Sequence, residues 1–173
     1  MLNATALKNA ILSEVANLTD AGTALQKLGT AIGNYIAANA VVAFTWVAVN
    51  PVGGAPDPAV TANGGITAMT VALTPAYGVV DHDIAQAHLE TECNAALSLA
   101  LYNITDAGFS TAPVVFGVVN SLNLTVSKTS DSDIAIGELA ANIVDWIKSQ
   151  KPVAPCAGTH GTFVGTGTVL SIS

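Results

Sequence analysis

The sequence predicts an α+β fold in which amphipathic helices pack on antiparallel strands and hairpins. In four segments, apolar residues recur every three or four positions, as they do on one face of a helix. Other segments are rich in β-branched residues or alternate between apolar and polar positions, which is typical of strands. Gly, Pro, Asn and Asp residues mark the boundaries between these segments. The predicted order is two helices, two strands, a helix, two strands, a helix and a final strand.

Residues 1–80 are predicted to form a lobe of two helices and a hairpin. Apolar stripes indicate helices over residues 2–18 and 23–39. The segment VVAFTWVAV at 41–49 is typical of a strand, and Asn50 and Pro51 end it. A Gly- and Pro-rich loop is predicted over 52–65, followed by an alternating strand over 66–73.

Two glycines lie four residues apart in the second predicted helix. Gly29 and Gly33 would each weaken an exposed helix, because glycine gains no side-chain contacts and costs more backbone entropy on folding. Their presence therefore predicts that another stretch of backbone packs closely against this helix.

Residues 81–173 are predicted to form a second lobe that shares one core with the first. The run Asp81-His82-Asp83 favours a helix start, and the helix is predicted over 84–103. Short strands are predicted over 113–119 and 122–127, and a fourth helix over 134–149. Two prolines stop that helix, and residues 161–173 end in a strand-like alternation.

The second and fourth predicted helices carry similar apolar stripes at a constant offset of 111 residues. The aligned residues are Leu28, Ile32, Tyr35 and Ile36 with Leu139, Ile143, Trp146 and Ile147. This similarity predicts either a partially duplicated α+β unit or only the general likeness of amphipathic helices. The two stripes are expected to face one another in the core.

Charge is scarce and unevenly distributed along the chain. Hydrophobic residues make up 51% and charged residues 10%, against about 25% charged in ordinary globular domains. Residues 28–56, 107–127 and 152–173 carry no charge at all. Such stretches predict surfaces covered by neighbouring subunits, the alternative being a weakly charged monomer rich in Thr and Ala. The uncharged arm at 152–173 is expected to pair with a sheet edge, either of a neighbour or of its own sheet.

Nucleic acid and membrane are not expected partners. The net charge is −7 and the chain contains no arginine, so it lacks the clustered cations that bind phosphates. Residues 29–49 are uncharged, but their apolar spacing changes near Asn39, as in a helix followed by a strand rather than a membrane span. The N-terminal segment places Lys8 and Glu14 in a helical pattern and does not resemble a signal peptide.

The best local cluster of chemically active side chains is His82, His88 and Glu92. Residues 88 and 92 share one helical face, which could bind a metal or transfer a proton, but a solvated polar face is the favoured interpretation. The surrounding residues are Asp81, Asp83, Glu90 and Cys93. The chain has no G-x-S-x-G motif, and the glycines at 158–167 are not followed by the lysine of a phosphate loop. No catalytic residue, metal ligand, cofactor or small-molecule substrate is therefore predicted.

The two cysteines do not predict a disulfide framework. Cys93 lies in an apolar helical pattern and is expected to be a buried small hydrophobe. Cys156 lies in the C-terminal arm, and a crosslink to Cys93 is left open, since it depends on a distance that sequence does not supply.

Two local patterns, LGTAIGNYIAANAVV at 28–42 and GTHGTFVGTGTVLSIS at 158–173, resemble segments of structural proteins from tailed bacteriophage virions. The resemblance covers about 31 residues. It implies a non-enzymatic virion component, with capsid decoration or cement favoured and a tail or baseplate role as the alternative. The implied partners are other virion proteins and copies of the same chain. A cell-surface adhesion module and an uncharacterised enzyme are the remaining hypotheses.

Overall fold

A computed structural model describes residues 1–49, 57–117 and 120–173 of the chain. Its elements confirm the α+β class. In chain order they are α1 (Ala4–Val15), α2 (Ala21–Asn39), β1 (Val41–Val49), β2 (Asp57–Ala68), a 3-10 helix (Pro75–Val79), α3 (His82–Leu99), β3 (Leu101–Ile104), β4 (Phe109–Thr111), β5 (Val114–Val115), α4 (Ser132–Ser149), β6 (Cys156–His160) and β7 (Phe163–Ile172).

Each of the four α-helices begins after an Asn or Asp whose side chain accepts a hydrogen bond from the first turn. The cap residues are Asn3, Asp20, Asp81 and Asp131. A side-chain oxygen at this position satisfies a backbone N–H that has no partner inside the helix, which fixes where the helix starts. The sequence placed the start of α3 two residues late, because Asp81 alone is the cap and His82 already lies in the first turn.

The seven strands form one antiparallel sheet in the order β4-β6-β7-β1-β2-β3-β5. Strands from residues 1–80 lie between strands from residues 81–173, so both halves of the chain contribute to one sheet and one hydrophobic core. Val42, Phe44 and Trp46 of β1 point into this core and are fully buried. The sheet curls, and Ile104 of β3 approaches β7 at Gly167, where the missing side chain leaves room for it.

The long uncharged stretch at 29–49 is a helix followed by a strand, as its spacing predicts. α2 ends at Asn39 and β1 begins at Val41. The prediction of β1 at 41–49 is confirmed residue for residue. In the third helix the prediction was wrong at the C-terminal end, because residues 101–104 form β3 and alternate between half-buried and buried.

The predicted loop at 52–65 is wrong for the part that the structure describes. Residues 57–65 belong to β2, while residues 52–56 lie outside the described ranges. The glycines that suggested a loop have a role within the sheet. A Cβ at Gly64 would lie 1.8 Å from the carbonyl oxygen of Asn103 on the neighbouring strand. The glycine therefore permits a close contact between strands rather than a turn.

The second predicted strand, at 66–73, leaves the sheet after Ala68 and continues over α2. Met69, Val71 and Leu73 are buried there, whereas Ile66, from the other predicted face, is buried within the sheet. The predicted alternation therefore holds over 69–73 but not across the whole of 66–73, and the partner of 69–73 is a helix and not a strand. A Cβ at Gly33 would lie 2.6 Å from the Met69 carbonyl oxygen, and one at Gly29 would lie 2.4 Å from that of Val71. The predicted close approach of another backbone to these glycines is confirmed.

Substituting either glycine with alanine is expected to destabilise the fold by about 1–3 kcal/mol, because a carbonyl oxygen occupies the space that the methyl group needs. Gly137→Ala in α4 is the matched control. A Cβ at Gly137 would meet only the flexible Lys8 side chain of α1, at 3.7 Å. That control should gain up to about 1 kcal/mol from helix propensity alone. Denaturant melts compare the three variants, and stabilisation by Gly29→Ala would contradict the close packing.

The predicted strand at 122–127 is extended but is not part of the sheet. Leu122 and Leu124 are buried, and polar side chains of α3 and α4 bind the backbone of this segment. On the α3 side, Asn94 accepts from the Leu122 N–H at 2.9 Å and Glu90 from the Leu124 N–H at 2.6 Å. Gln86 donates to the Leu124 carbonyl oxygen at 2.9 Å.

The α4 side provides a second set of side-chain partners. Asn142 accepts from the Thr125 N–H at 3.1 Å, and Glu138 accepts from the Ser127 N–H at 2.6 Å. Partners four apart on a helix are spaced about 6 Å along its axis, close to the roughly 6.6 Å between alternate residues of an extended chain. This match lets two helices replace the missing neighbouring strands.

Other short strands were only partly predicted. Of the segment 113–119, Val114–Val115 forms β5, and residues 118 and 119 lie outside the described ranges. The sequence analysis missed β4 and β6. The predicted C-terminal strand is present as β7, and it pairs within the chain's own sheet, between β1 and β6.

Leu28 and Leu139, from the aligned stripes of the second and fourth helices, line the same groove. Helix α1 contacts both α2 and α4, and Leu7 and Ile11 of α1 are fully buried between them. Ile32 and Ile143 are also fully buried, so both stripes belong to the core as predicted. The two stripes approach each other at Leu28 and Leu139, while α1 packs against both helices.

Candidate functional site

The structure gives His88 a structural role in joining α3 to the segment before it. Its Nε2 atom accepts a hydrogen bond from the Thr74 N–H at 3.0 Å. Its ring stacks on Tyr77 with 3.9 Å between ring centroids, and its side chain is only 8% exposed. Nδ1 lies 3.9 Å from Glu92 Oε1, which is too long for a hydrogen bond.

His82 does not join His88 and Glu92 in one site. It borders the apolar groove between α2, α3 and α4, and its Nδ1 lies 3.2 Å from Asp83. His88 borders a different groove, which Tyr77 and Glu92 also line. Asp81 is the helix cap, Asp83 pairs with Lys128 at 2.9 Å, and Glu90 binds the backbone of Leu124. In the described ranges, no three His, Cys, Asp or Glu residues are grouped so that they could hold a metal ion.

We expect His88→Ala to lower the free energy of unfolding by about 1–3 kcal/mol, because it removes the acceptor for the Thr74 N–H. The purified protein should contain no stoichiometric metal that depends on this residue. Elemental analysis and a denaturant melt measure the two effects. Bound metal that His88→Ala abolishes would contradict the structural role.

Both cysteines are buried free thiols. Burial raises the pKa of the Cys93 thiol to about 12 and that of the Cys156 thiol to about 11. A neutral buried thiol is a poor nucleophile, because the thiolate is the reactive form. The crosslink left open by the sequence is not formed.

Cys93 should make the protein less stable in alkali. In the folded protein, the pKa of this thiol lies above the roughly 8.5 of an exposed thiol. Its contribution to the free energy of unfolding is therefore complete below about pH 8.5 and is lost as the pH rises towards 12. Denaturant melts between pH 8 and 11 should show a smaller loss of stability for Cys93→Ala than for the unmodified chain. An equal loss in both would mean that this thiol does not contribute.

The face of the sheet that points away from the core is here called the outer face. Strand pairing places Thr61, Thr45 and Thr168 in one row across three adjacent strands. Val47 lies beside Thr166 in the next row. The residues between them along each strand are buried.

From Val60 of β2 onward and in the other strands, the described side chains on the outer face are uncharged, and they are exposed or half-buried. They include Val41, Ala43, Thr45, Val47, Thr61, Asn63, Leu101, Asn103, Ser110, Val115, Ala157, Thr159, Val164, Thr166, Thr168, Leu170 and Ser171. Val47, Val115, Val164 and Leu170 are 50%, 54%, 56% and 47% exposed. A surface with this many exposed apolar residues and no charge is unusual for an isolated protein.

The charged residues lie elsewhere in the fold. Apart from Asp57, the first residue of β2, they lie on helices, at helix caps or in connecting segments. Asp106 borders the outer face, where its carboxylate accepts from the Asn63 N–H at 2.6 Å. The long uncharged stretches of the sequence include β1, β4, β5, β6 and β7, together with residues 28–39 of α2 and the segment at 122–127. The missing charge is evident in the sequence, but its position on one surface is not.

Comparisons with protein-family models, with curated proteins and with solved structures gave no match. Within the described ranges, no helix combines the length and apolar character that crossing a membrane requires.

Proposed function

We propose that the chain is a non-enzymatic structural protein of a tailed-phage virion, and that it decorates the capsid. The observation that carries this proposal is the uncharged outer face of the sheet. A broad surface of Thr, Val and Ala suits attachment to another protein surface, because no charge must be desolvated when water leaves the contact.

The arrangement of the polar groups supports the same role. Among the side chains singled out in the sequence, His88 and Glu90 accept hydrogen bonds from backbone N–H groups, and Asp81 caps α3, so these three groups maintain the fold. The cysteines are buried and protonated at neutral pH. A protein whose reactive side chains maintain the fold or are buried suits a role in assembly better than a role in catalysis.

The proposal is tested by immunogold electron microscopy with antibodies against the purified chain. Labelling of capsid shells in phage particles is the expected result. Labelling confined to tails or baseplates would replace decoration with the alternative virion role. Labelling of cell surfaces without particles would overturn the virion proposal and favour an adhesion module.

A matched pair of variants tests whether the outer face makes the attachment. Thr45→Lys introduces a charge at the centre of the face, whereas Ala95→Lys introduces the same charge on the exposed side of α3. Only Thr45→Lys should reduce incorporation into particles, by about tenfold or more, while both proteins remain folded. Equal incorporation of the two would exclude the outer face as the attachment surface.

A further inference from the structure

We infer that two copies of this chain associate through the outer face, sheet against sheet, while the protein is free in solution, and that the copies separate when this face attaches to the particle. This inference deepens the proposed assembly role and names a second copy as the partner of the free protein. It rests on the area, the chemistry and the surrounding charges of the outer face.

The first argument is the area available. The strands β7, β1 and β2 span about 14 Å at roughly 4.8 Å per strand, and eight residues extend about 26 Å along them, while the five residues of β6 add about 5 Å over about 17 Å. This gives about 450 Å² on each copy, or about 900 Å² in total. That total is near the lower limit for a specific protein interface, so we expect a reversible dimer.

The second argument is that the face is complementary to itself. In a two-fold dimer the same patch must accept its own copy, so a charged patch would place like charges opposite each other. Thr45, Thr61, Thr166 and Thr168 instead present hydroxyl groups, each of which both donates and accepts a hydrogen bond. Two identical threonine rows can therefore satisfy one another, and Val47 supplies an exposed apolar contact beside them.

The third argument is the placement of the net charge of −7. Contact through the helices would bring acidic surfaces together, since most of the charged residues lie there. Contact through the outer faces keeps the helices of the two copies on opposite sides of both sheets. The helical charges of the two copies are then farther apart than the roughly 10 Å between packed sheets, and the Debye length at physiological salt is about 8 Å, so their repulsion is weaker than in a contact through the helices.

The test is the mass of the full chain in solution as a function of concentration, by analytical ultracentrifugation. The unmodified protein should move from 17.4 kDa towards twice that mass as its concentration rises. Combining Thr166→Glu with Thr168→Glu should weaken association at least tenfold, because both copies then bring carboxylates into the contact.

Matched controls separate the effect of position from that of added charge. Combining Thr91→Glu with Ala95→Glu adds the same two charges at exposed positions of α3 and should leave the dissociation constant within about twofold. Circular dichroism verifies that each variant is folded, and Thr168→Ser and Val47→Ser provide milder changes if the double glutamate variant fails to fold.

Three outcomes would overturn the inference. These are a protein that stays at 17.4 kDa at all concentrations, a dimer unaffected by every outer-face change, and a dimer lost equally in the α3 control. None of these measurements uses phage particles. A failed dimer test is therefore distinguishable from failure of the virion proposal, which depends on the labelling experiment.

Discussion

Ile32→Ala and Ile143→Ala should each lower the free energy of unfolding by about 2–5 kcal/mol. Both side chains are fully buried, on α2 and α4 respectively, and alanine would remove three carbon atoms from a core that α1 and the sheet close from other sides. The cost combines lost burial with the cavity that remains. For a chain of this size, each kcal/mol corresponds to a melting temperature lower by about 2–4 °C.

Ile134→Ala is the control for this pair. Ile134 lies in the first turn of α4 and is 50% exposed, so its truncation should cost about 0.5 kcal/mol or less. Denaturant melts of the three variants measure the contrast. Losses below about 1 kcal/mol for both buried positions would show that the stripes of α2 and α4 do not support the core.

Deleting residues 161–173 should abolish cooperative folding. The deletion removes β7, which pairs with β1 on one side and β6 on the other, and takes Val169 and Ile172 out of the core. The sequence left open whether this arm completes its own sheet or that of a neighbour. The structure places it in its own sheet, so loss of the fold, rather than loss of assembly alone, is the expected result.

A melt monitored by circular dichroism and a solubility assay measure this effect. Leu170→Ala is the control, because Leu170 belongs to β7 but is 47% exposed on the outer face. That variant should keep a cooperative transition within a few degrees of the unmodified chain. A truncated protein that melts at the original temperature would contradict the central position of β7.

Apolar spacing predicted most of the helices and the alternating segments, because it records which side chains are buried. It did not reveal what lies beside each segment. Residues 69–73 and 122–127 alternate as strands do, yet the first lies on a glycine-bearing face of α2 and the second between α3 and α4. Alternate burial requires only an extended chain with one covered side, and a helix can cover it as well as a sheet.

The side chains of α3 and α4 that bind the segment at 122–127 have the same spacing in the sequence as the polar face of any helix. Gln86, Glu90 and Asn94 recur every four residues, as do Glu138 and Asn142. Read alone, this spacing indicates solvated positions, because most polar side chains on helices face water. Their hydrogen bonds to an extended backbone become visible only once the long-range packing is known.

The outer face could be predicted only in part. The missing charges were evident in the sequence, but assigning them to one surface needed the strand order, which depends on pairings between distant residues. β1 and β7 show the difficulty, since Thr45 lies opposite Thr168. No local pattern specifies that register. The function proposed from the resemblance therefore remains a proposal, and the outer face supplies its physical support.

The central position of β7 has a consequence for how the chain folds during synthesis. β1 emerges from the ribosome well over one hundred residues before the strand that covers its second edge. Contacts this distant in sequence slow folding, because a long loop must close before they form. Until β7 has been synthesised, one edge of β1 lacks its final partner. The backbone N–H and C=O groups along this edge of a valine- and aromatic-rich strand can then pair with another nascent chain. Expression at lower temperature, or with chaperones that shield such edges, should raise the yield of soluble protein.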